Sequence, residues 1–355
     1  MAGLIQDKAG NLYGTTYLGG SHDLGTVFKI APDGTESVIY SFRGVGSNDG
    51  ANPQAGLTPD ADGNLYGTTL TDGKGGNTSG TVFKISPDGK EKILHSFTGF
   101  GDGVDGAEPM AGVILDGAGN LYGTTSEGGG ANCPGGCGTV FRISADGHEK
   151  VLHAFDSFDR KDGGNPQAPL LLGSDGNFYG TTAAGGSNND GTVFKLTPKG
   201  KETVLHNFTG FNSASDGGVP VAPLIADAEG IMYGTTWLGG TSGEGTVFKI
   251  APDGTETVLY NFTNGHDGGE PLGALLRDGR GNLYSTTSMG GDAGCGTVFK
   301  LSPAGKIKIL YTFTCGSDGR FPFAGLIAEK GFRRFFGTTE LGGAHGRGVV
   351  FQVNR

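Results

Sequence analysis

The chain has 355 residues, of which 35% are hydrophobic and only 17% charged, and its net charge at pH 7 is −10. Because 26 basic residues stand against 36 acidic ones and no basic cluster occurs, the composition argues against nucleic acid or an anionic membrane as a partner. No apolar run approaches the roughly 18 residues of a membrane-spanning helix, so we expect no insertion into a bilayer.

A repeated pattern runs through the whole chain. The motif YGTT begins at Tyr13 and returns at intervals of 51 to 57 residues, and each copy is followed by a GTVFK-type motif. The seven copies begin at Tyr13, Tyr66, Tyr122, Tyr179, Tyr233, Tyr284 (as YSTT) and Phe336 (as FGTT). Since no unit of about 50 residues can bury both of its faces alone, we predict one domain, residues 1–355, built from seven stacked repeats.

Each repeat predicts four short β-strands, which in chain order have the sequences AGLI, NLYGTT, GTVFKI and VLHSF or a close variant. All are short runs bounded by Gly, Asp, Asn and Pro, and none has a helical period, so the predicted class is all-β. The predicted first strands are Ala2–Ile5, Ala55–Leu57, Ala111–Leu115, Ala168–Leu172, Ala222–Ile225, Gly273–Leu276 and Ala324–Ile327.

The connections between these strands alternate in length. Tight Asp-Gly turns join the first strand to the second and the third to the fourth, whereas the other connections are long. In an antiparallel meander alternate connections lie on the same edge, so the long ones define one long-loop face. Seven four-stranded antiparallel meanders predict a seven-bladed β-propeller with the small AGLI residues innermost. Because the sequence ends after the seventh GTVFK-type motif, we expect a three-stranded last blade.

The four cysteines form two clusters, Cys133 with Cys137 and Cys295 with Cys315. If the turn SPAGK closes a hairpin, Cys295 and Cys315 lie opposite each other on neighbouring strands, within bridging distance. We predict a disulfide in each cluster and therefore an oxidising compartment, extracellular or periplasmic, with a signal peptide that is not part of this sequence. The alternative is a four-cysteine metal site, which requires the third and sixth repeats to converge.

The pattern LYGTT…GG…GTVFK, seven times over essentially the whole chain, resembles the repeat of the GloVer-containing "choice-of-anchor" tandem-repeat proteins. This resemblance implies an exported bacterial protein. The chain is more distantly similar to kelch β-propellers, which share the period and the Gly-Gly pair seen at Gly19-Gly20 and Gly239-Gly240, although the late tryptophan of a kelch unit is missing. Neither resemblance transfers a catalytic residue.

Two polar positions recur in the repeats. An aspartate followed by glycine precedes six of the first strands. These aspartates could form a ring of carboxylates that binds a cation, but we favour the interpretation that they are turn residues. These residues are Asp49, Asp105, Asp162, Asp216, Asp267 and Asp318. His95, His153 and His206 share one position with Tyr40, Tyr260 and Tyr311, and we interpret them as packing residues with a polar tip. We predict no metal site and no cofactor, with a structural Ca2+ in the channel as the alternative.

The residues directly after GTT do not repeat, and they open the loops of the long-loop face. They are Tyr17, Leu70, Ser126, Ala183, Trp237, Ser288 and Glu340. Trp237 is the only tryptophan in the chain, and an aromatic ring offers a flat apolar face to sugar C–H groups. We therefore predict that Trp237 and Tyr17 bind a ligand by stacking. The alternative is that Trp237 packs over the adjacent loop.

The first and last repeats must be neighbours in a closed ring, which would bring Glu340, His345 and Arg347 towards His22 and Asp23. Glu340, His345 and Asp23 are candidate catalytic residues because an acid and an imidazole can act as an acid/base pair. His22 and Arg347 are candidate ligand-binding residues. No GxSxG, HExxH, phosphate-loop or dinucleotide motif occurs, so whether the protein is an enzyme stays open.

These observations favour an exported β-propeller that binds a carbohydrate or another extracellular ligand on its long-loop face. One alternative is a polysaccharide-active enzyme, a glycoside hydrolase or a lyase, with its site at the channel mouth. The other is a structural or protein-interaction scaffold. The expected partner is a glycan, a small molecule or a protein, and the expected state is a monomer.

Overall fold

A computed structural model describes residues 3–44, 49–71, 79–99, 105–130, 133, 135–156, 162–210 and 216–355. Every regular element in these ranges is a β-strand, and the fold is the predicted seven-bladed β-propeller. Blades 1 to 6 are four-stranded antiparallel sheets in chain order, and blade 7 has three strands, as expected. Met1 and Ala2, where the first predicted strand begins, lie outside the described residues.

The second and third strands of each blade coincide with the YGTT and GTVFK motifs. The second strands are Leu12–Thr16, Leu65–Thr69, Leu121–Thr125, Phe178–Thr182, Met232–Thr236, Leu283–Thr287 and Arg334–Thr338. The third strands are Thr26–Ile30, Thr81–Ile85, Thr139–Ile143, Thr192–Leu196, Thr246–Ile250, Thr297–Leu301 and Val350–Asn354. The fourth strands are Glu36–Ser41, Glu91–Ser96, Glu149–Ala154, Glu202–Asn207, Glu256–Asn261 and Ile307–Thr312.

The first strands are shorter than predicted and begin later in the sequence. They are Ile5–Gln6, Thr58–Pro59, Ile114–Leu115, Leu171–Leu172, Ile225–Ala226, Leu276–Arg277 and Ile327–Ala328. The Ala-Gly-Leu segments face the neighbouring blade instead: the Thr15 hydroxyl donates to the Ala55 carbonyl over 3.0 Å, and a Cβ on Gly56 would lie 3.2 Å from the Gly3 carbonyl oxygen. Their small side chains permit this close approach. Further two-residue strands are Gly163–Gly164, Ala184–Gly185, Gly217–Gly218 and Leu238–Gly239.

The hydrophobic core lies between adjacent blades. Phe42 of blade 1 meets Phe83 of blade 2 edge to face, with ring centroids 5.1 Å apart, and both rings are buried. A Cβ on Gly67 would lie 2.5 Å from the Phe83 ring, which explains the glycine of YGTT. Aromatic burial of this kind contributes most of the stability of such an interface.

The two long connections of a blade hydrogen-bond to each other, which confirms that they share one edge. Isolated bridges join Ala51 to Thr71 in blade 2, and Ala107 to Glu127 in blade 3. Gly269 pairs with Met289 in blade 6 in the same way. The long-loop face is therefore a hydrogen-bonded surface.

The chain divides into two compact units, and the boundary falls inside blade 4. The first unit comprises Met1–Leu172, Gly176–Phe178 and Leu196–Thr203, and it contains blades 1 to 3. The second unit comprises Gly173–Asp175, Tyr179–Lys195 and Val204–Arg355, and it contains blades 5 to 7.

Both predicted disulfides are present. Cys133 is bonded to Cys137 and Cys295 to Cys315, with Cα atoms 5.6 Å and 5.5 Å apart. Since all four cysteines are paired, the alternative of a four-cysteine metal site is wrong. The two disulfides indicate an oxidising, non-cytoplasmic compartment. Among the residues described, no helix has the length and hydropathy needed to cross a bilayer.

Candidate functional site

A residue in left-handed conformation recurs on the long-loop face, directly before a proline. The six residues, with φ from 53° to 59°, are Asn52, Glu108, Asn165, Val219, Glu270 and Phe321. The backbone of each connects two blades: the N–H of Val219 donates to the Asp190 carbonyl over 2.8 Å, and its carbonyl accepts from Trp237 over 3.1 Å. Such backbone strain persists where the surroundings enforce it, often at binding sites. The sequence signal, a proline two residues before each AGLI-type segment, was missed.

Trp237 has a fixed backbone and an exposed ring. Its N–H donates a hydrogen bond to the Val219 carbonyl. Its carbonyl oxygen lies against Gly245, where an added Cβ would be 2.7 Å from that oxygen and 2.7 Å from the Pro271 Cδ. This packing leaves the backbone little freedom. The side chain is nevertheless 37% exposed. A preorganised, solvent-accessible ring is what a stacking platform requires.

The Glu270-Pro271 segment and the Trp237 carbonyl both pack against Gly245 in the second unit. The N–H of Glu270 donates to the Glu244 carbonyl over 2.8 Å, and Glu270 precedes the proline that packs on Gly245. The Ser288 hydroxyl lies 3.0 Å from the Glu270 carbonyl oxygen and 3.4 Å from its Oε2. Glu244 and Glu270 are both half-buried. Glu244 and Glu270 thus place two half-buried carboxyl groups on the same long-loop face as Trp237.

Tyr17 lies in a similarly braced loop of the first unit. Its side chain is 41% exposed, and its carbonyl accepts a hydrogen bond of 3.0 Å from the Asn52 Nδ2. The Oδ1 of Asn52 in turn accepts from the Thr71 hydroxyl over 2.8 Å. Tyr17 is thus a second exposed aromatic on a fixed backbone.

A pair of carboxyl groups, Glu108 and Glu127, was not among the predicted site residues. Burial and the neighbouring carboxylate of Glu127 raise the pKa of Glu108 above its ordinary value. The backbone fixes both residues, because Ser126 donates to the Glu108 carbonyl and Ala107 exchanges two hydrogen bonds with Glu127. A carboxyl group with a raised pKa can act as a proton donor.

The residues predicted at the seam are exposed loop residues. In the second unit the N–H of Glu340 donates to the Phe321 carbonyl over 3.1 Å. Within the described part of the chain, the side chains of Glu340, His345 and Arg347 make no hydrogen bond or ion pair with each other, and all three are exposed. These three groups are therefore available to a ligand.

In the first unit, His22 and Asp23 also lie in an exposed loop. The Asp23 carboxylate accepts the Gly19 N–H over 2.9 Å and so holds a turn, in a residue with a φ of 58°. His22 Nδ1 lies 2.8 Å from the Ser21 hydroxyl. His22 lines an open cavity of about 490 Å³ together with Tyr40 and Arg43. His22 thus remains accessible, whereas Asp23 is engaged by its own loop.

The recurring aspartates are hydrogen-bonded to a side chain of the fourth strand that precedes them in the chain. Asp49, only 3% exposed, accepts hydrogen bonds from the Tyr40 hydroxyl and from the N–H groups of Arg43 and Gly50. These contacts agree with the interpretation as turn residues. In three blades a histidine replaces the tyrosine, and its Nε2 lies 2.8 to 3.3 Å from the aspartate. Of the described residues, only His153, Asp162 and Glu202 form a group of three potential metal ligands.

The fold and this loop surface define the class of protein as a repeat-built β-propeller with variable residues on its long-loop face. Seven copies of one sequence motif supply the blades. The chain belongs to the Gloeobacter/Verrucomicrobia repeat family, whose model matches residues 1–182, 70–279 and 220–355. The resemblance seen in the sequence is therefore confirmed. No curated protein is recognisably related to the chain in sequence.

Solved structures share the fold at low sequence identity. The extracellular domain of a protein assigned as a one-component system from B. thetaiotaomicron is 12% identical with a TM-score of 0.59, over 98% of this chain and 37% of that chain. A protein assigned as a 6-phosphogluconolactonase from Bacteroides uniformis is 17% identical with a TM-score of 0.57, over 93% and 88%. A puromycin-hydrolysing peptidase of Mycobacterium tuberculosis is 11% identical with a TM-score of 0.60, over 99% and 51%. These similarities show the fold alone.

Proposed function

We propose that this protein is an extracellular carbohydrate-binding β-propeller whose ligand stacks on Trp237. The observation that carries the proposal is the exposed indole on a backbone fixed by Val219 and Gly245. An extracellular location is supported by the two disulfides.

The chemistry around Trp237 suits a neutral sugar. The ring supplies an apolar face for C–H groups, while the half-buried carboxylates of Glu244 and Glu270, on the same long-loop face, can accept hydrogen bonds from sugar hydroxyls. The fixed backbone reduces the entropy lost on binding. A scaffold protein would need neither an exposed aromatic platform nor adjacent acceptors.

Intrinsic fluorescence offers a direct test, because Trp237 is the only tryptophan. Titration with a panel of soluble polysaccharides and oligosaccharides is expected to shift or quench its emission for at least one ligand. Isothermal titration calorimetry on that ligand should show binding by the wild type and its loss in Trp237→Ala. The matched control is Tyr311→Ala, which removes an equally exposed aromatic, 37% exposed, from an outer strand. Equal binding by Trp237→Ala and wild type would overturn the proposal.

A polysaccharide-cleaving enzyme is the second candidate, favoured by the Glu108–Glu127 pair. Burial and the charge of Glu127 raise the pKa of Glu108, and a carboxyl group with a raised pKa can act as a general acid. Product analysis on every polysaccharide that binds would detect cleavage, and Glu108→Gln should abolish it, whereas the exposed Glu229→Gln should not. The predicted candidates are tested in parallel by Glu340→Gln, His345→Ala and Asp23→Asn. Absence of any product would leave the binding function standing alone.

A further inference from the structure

We propose that His153, Asp162 and Glu202 bind one divalent transition-metal cation, with Zn2+ as the probe, at the outer edge where blades 3 and 4 meet. His153 lies on the fourth strand of blade 3, and Asp162 on the connection that leaves it. Glu202 begins the fourth strand of blade 4. All three residues belong to the first unit.

The ligand atoms are arranged as a cation requires. The Nε2 of His153 lies 2.8 Å from the Oδ2 of Asp162, and one ligand atom from each of the three residues lies within 4.8 Å of the others. Zn2+ binds nitrogen and carboxylate oxygen at about 2.0–2.2 Å, so neighbouring ligands of a tetrahedral site are about 3–4 Å apart. Three protein ligands leave a fourth position for water. A neutral imidazole with two carboxylates suits zinc better than a hard cation such as Ca2+.

Among the described residues, Glu202 resembles the equivalent Glu91, Glu149 and Glu256 in having one buried carboxylate oxygen without a hydrogen-bond partner. Its Oε1 is shielded from solvent and has no hydrogen-bond partner among the described residues. A buried carboxylate oxygen without a partner is unfavourable, and here a second carboxylate stands next to it. A bound cation would give the Glu202 carboxylate a positive partner, beside an Asp162 carboxylate that accepts hydrogen bonds from the N–H groups of Asp156 and Gly163.

Comparison with equivalent positions in the chain singles out this blade interface. His95 with Asp105 and His206 with Asp216 are 3.1 Å and 3.3 Å apart, longer than the pair at His153. Among the described residues, neither of these pairs forms a group of three ligand atoms within 4.8 Å together with its own glutamate, Glu149 or Glu256. In blade 1 the position of the histidine is held by Tyr40, which donates to Asp49.

A cation at this position would connect the outer strands of two blades. His153 and Glu202 belong to different sheets, and neither of their outer strands contains a fully buried residue. The site therefore differs in place and in purpose from the ligand surface at Trp237. Its expected effect is on stability.

Calorimetric titration of the chelator-treated full chain with ZnCl2 tests the proposal. We expect one tight equivalent, a higher Tm with zinc, and a four-coordinate Co2+ visible spectrum. Glu202→Gln should weaken the tight binding at least tenfold, and His153→Tyr, which introduces the residue found in blade 1, should abolish it. Both variants should remain folded, because Gln relieves a buried charge and Tyr is native at the equivalent position.

The matched control is Glu256→Gln, which makes the same change at the equivalent position of blade 5 and should leave the tight site intact. Exposed histidines such as His22 and His345 account for weak binding only, which all variants share. Absence of a tight equivalent in the wild type would overturn the proposal. So would tight binding that survives His153→Tyr, or an equal loss in Glu256→Gln and Glu202→Gln.

Discussion

The backbone N–H of Trp237 donates a hydrogen bond to the carbonyl oxygen of Val219 over 3.1 Å, and Val219 itself has a φ of 55°. A β-branched residue in the left-handed region is strained by about 1–3 kcal/mol. At the same repeat position, Asn52 and Asn165 tolerate this φ, and their side-chain amides donate to the carbonyls of the preceding blade. The exposed indole is therefore held by a strained backbone position.

Val219→Asn is expected to stabilise the protein by about 1 kcal/mol, because asparagine adopts the left-handed region more readily than a β-branched residue. Urea or thermal unfolding measures the change. Val221→Asn is the control, since Val221 is also half-buried and does not have a positive φ. A loss of stability in Val219→Asn as large as that in Val221→Asn would contradict the prediction.

Gly245→Ala is expected to be strongly destabilising. The new Cβ would lie 2.4 Å from the Thr236 carbonyl oxygen and 2.7 Å from both Pro271 and the Trp237 carbonyl oxygen, all closer than real contacts. Gly243 also has a positive φ, but a Cβ there meets nothing within 4 Å. Gly243→Ala should therefore cost only the left-handed conformation, about 1–2 kcal/mol. Denaturant unfolding should show a clearly larger loss for Gly245→Ala, together with altered Trp237 emission.

The stability of the protein should depend on the protonation of Glu91. Burial, and then the charge of Asp49, raise the pKa of Glu91 to about 7 from an ordinary value of 4.5, although Arg43 opposes the shift. Since the folded state binds this proton more tightly than the unfolded state, the stabilisation is full below about pH 4.5 and is lost as the pH rises towards 7. Glu91→Gln should therefore gain stability relative to wild type at pH 8 and much less at pH 5.

Thermal unfolding of Glu91→Gln and wild type at the two pH values measures this difference. Glu36→Gln is the matched control, because Glu36 occupies the same repeat position in blade 1 and is exposed. Its Tm difference from wild type should not change between pH 5 and pH 8. A pH-independent effect of Glu91→Gln would show that its carboxyl group titrates normally in the folded protein.

The two disulfides should contribute unequally to stability. Cys295 and Cys315 are 20 residues apart and Cys133 and Cys137 only 4, and the loop entropy removed from the unfolded chain grows with this separation. Replacing Cys295 and Cys315 with alanines should lower the free energy of unfolding by about 3 kcal/mol, and replacing Cys133 and Cys137 should lower it by about 2 kcal/mol. Unfolding of both double variants in urea gives the order. A larger loss for the short-range pair would rule out loop entropy as the main term.

The sequence predicted the blades well because the paired strands of each blade are close to each other in the sequence. The pairing of Tyr13 with Lys29 and of Gly14 with Phe28 joins motifs within one repeat, and a period of two with turn residues indicates it directly. The predicted first strand at Ala55–Leu57 was wrong, because the observed strand is Thr58–Pro59. The Ala55 carbonyl accepts a hydrogen bond from the Thr15 hydroxyl of the neighbouring blade. The sequence pattern of a single repeat does not indicate this contact between blades.

The candidate site was predicted in part. Trp237 and Tyr17 are exposed, but Ser126, Ala183 and Ser288 at the same position after GTT are buried, so the position alone does not decide exposure. The left-handed conformation of Val219 was missed, since its cause is hydrogen bonding to two blades at once. The partners of His153 were missed for a similar reason: Asp162 is close in sequence, but Glu202 comes from the next blade.

The sequence by itself determined the number of blades, the order of their strands, the side on which the long loops lie and the pairing of the cysteines. All of these follow from short-range periodicity and turn chemistry, which repeat seven times. The tertiary structure decided which side chains meet across blade boundaries, as Glu91 meets Asp49 and Glu202 meets His153. Those contacts depend on the packing of one sheet against the next, and their residues are about 40 to 50 positions apart in the chain.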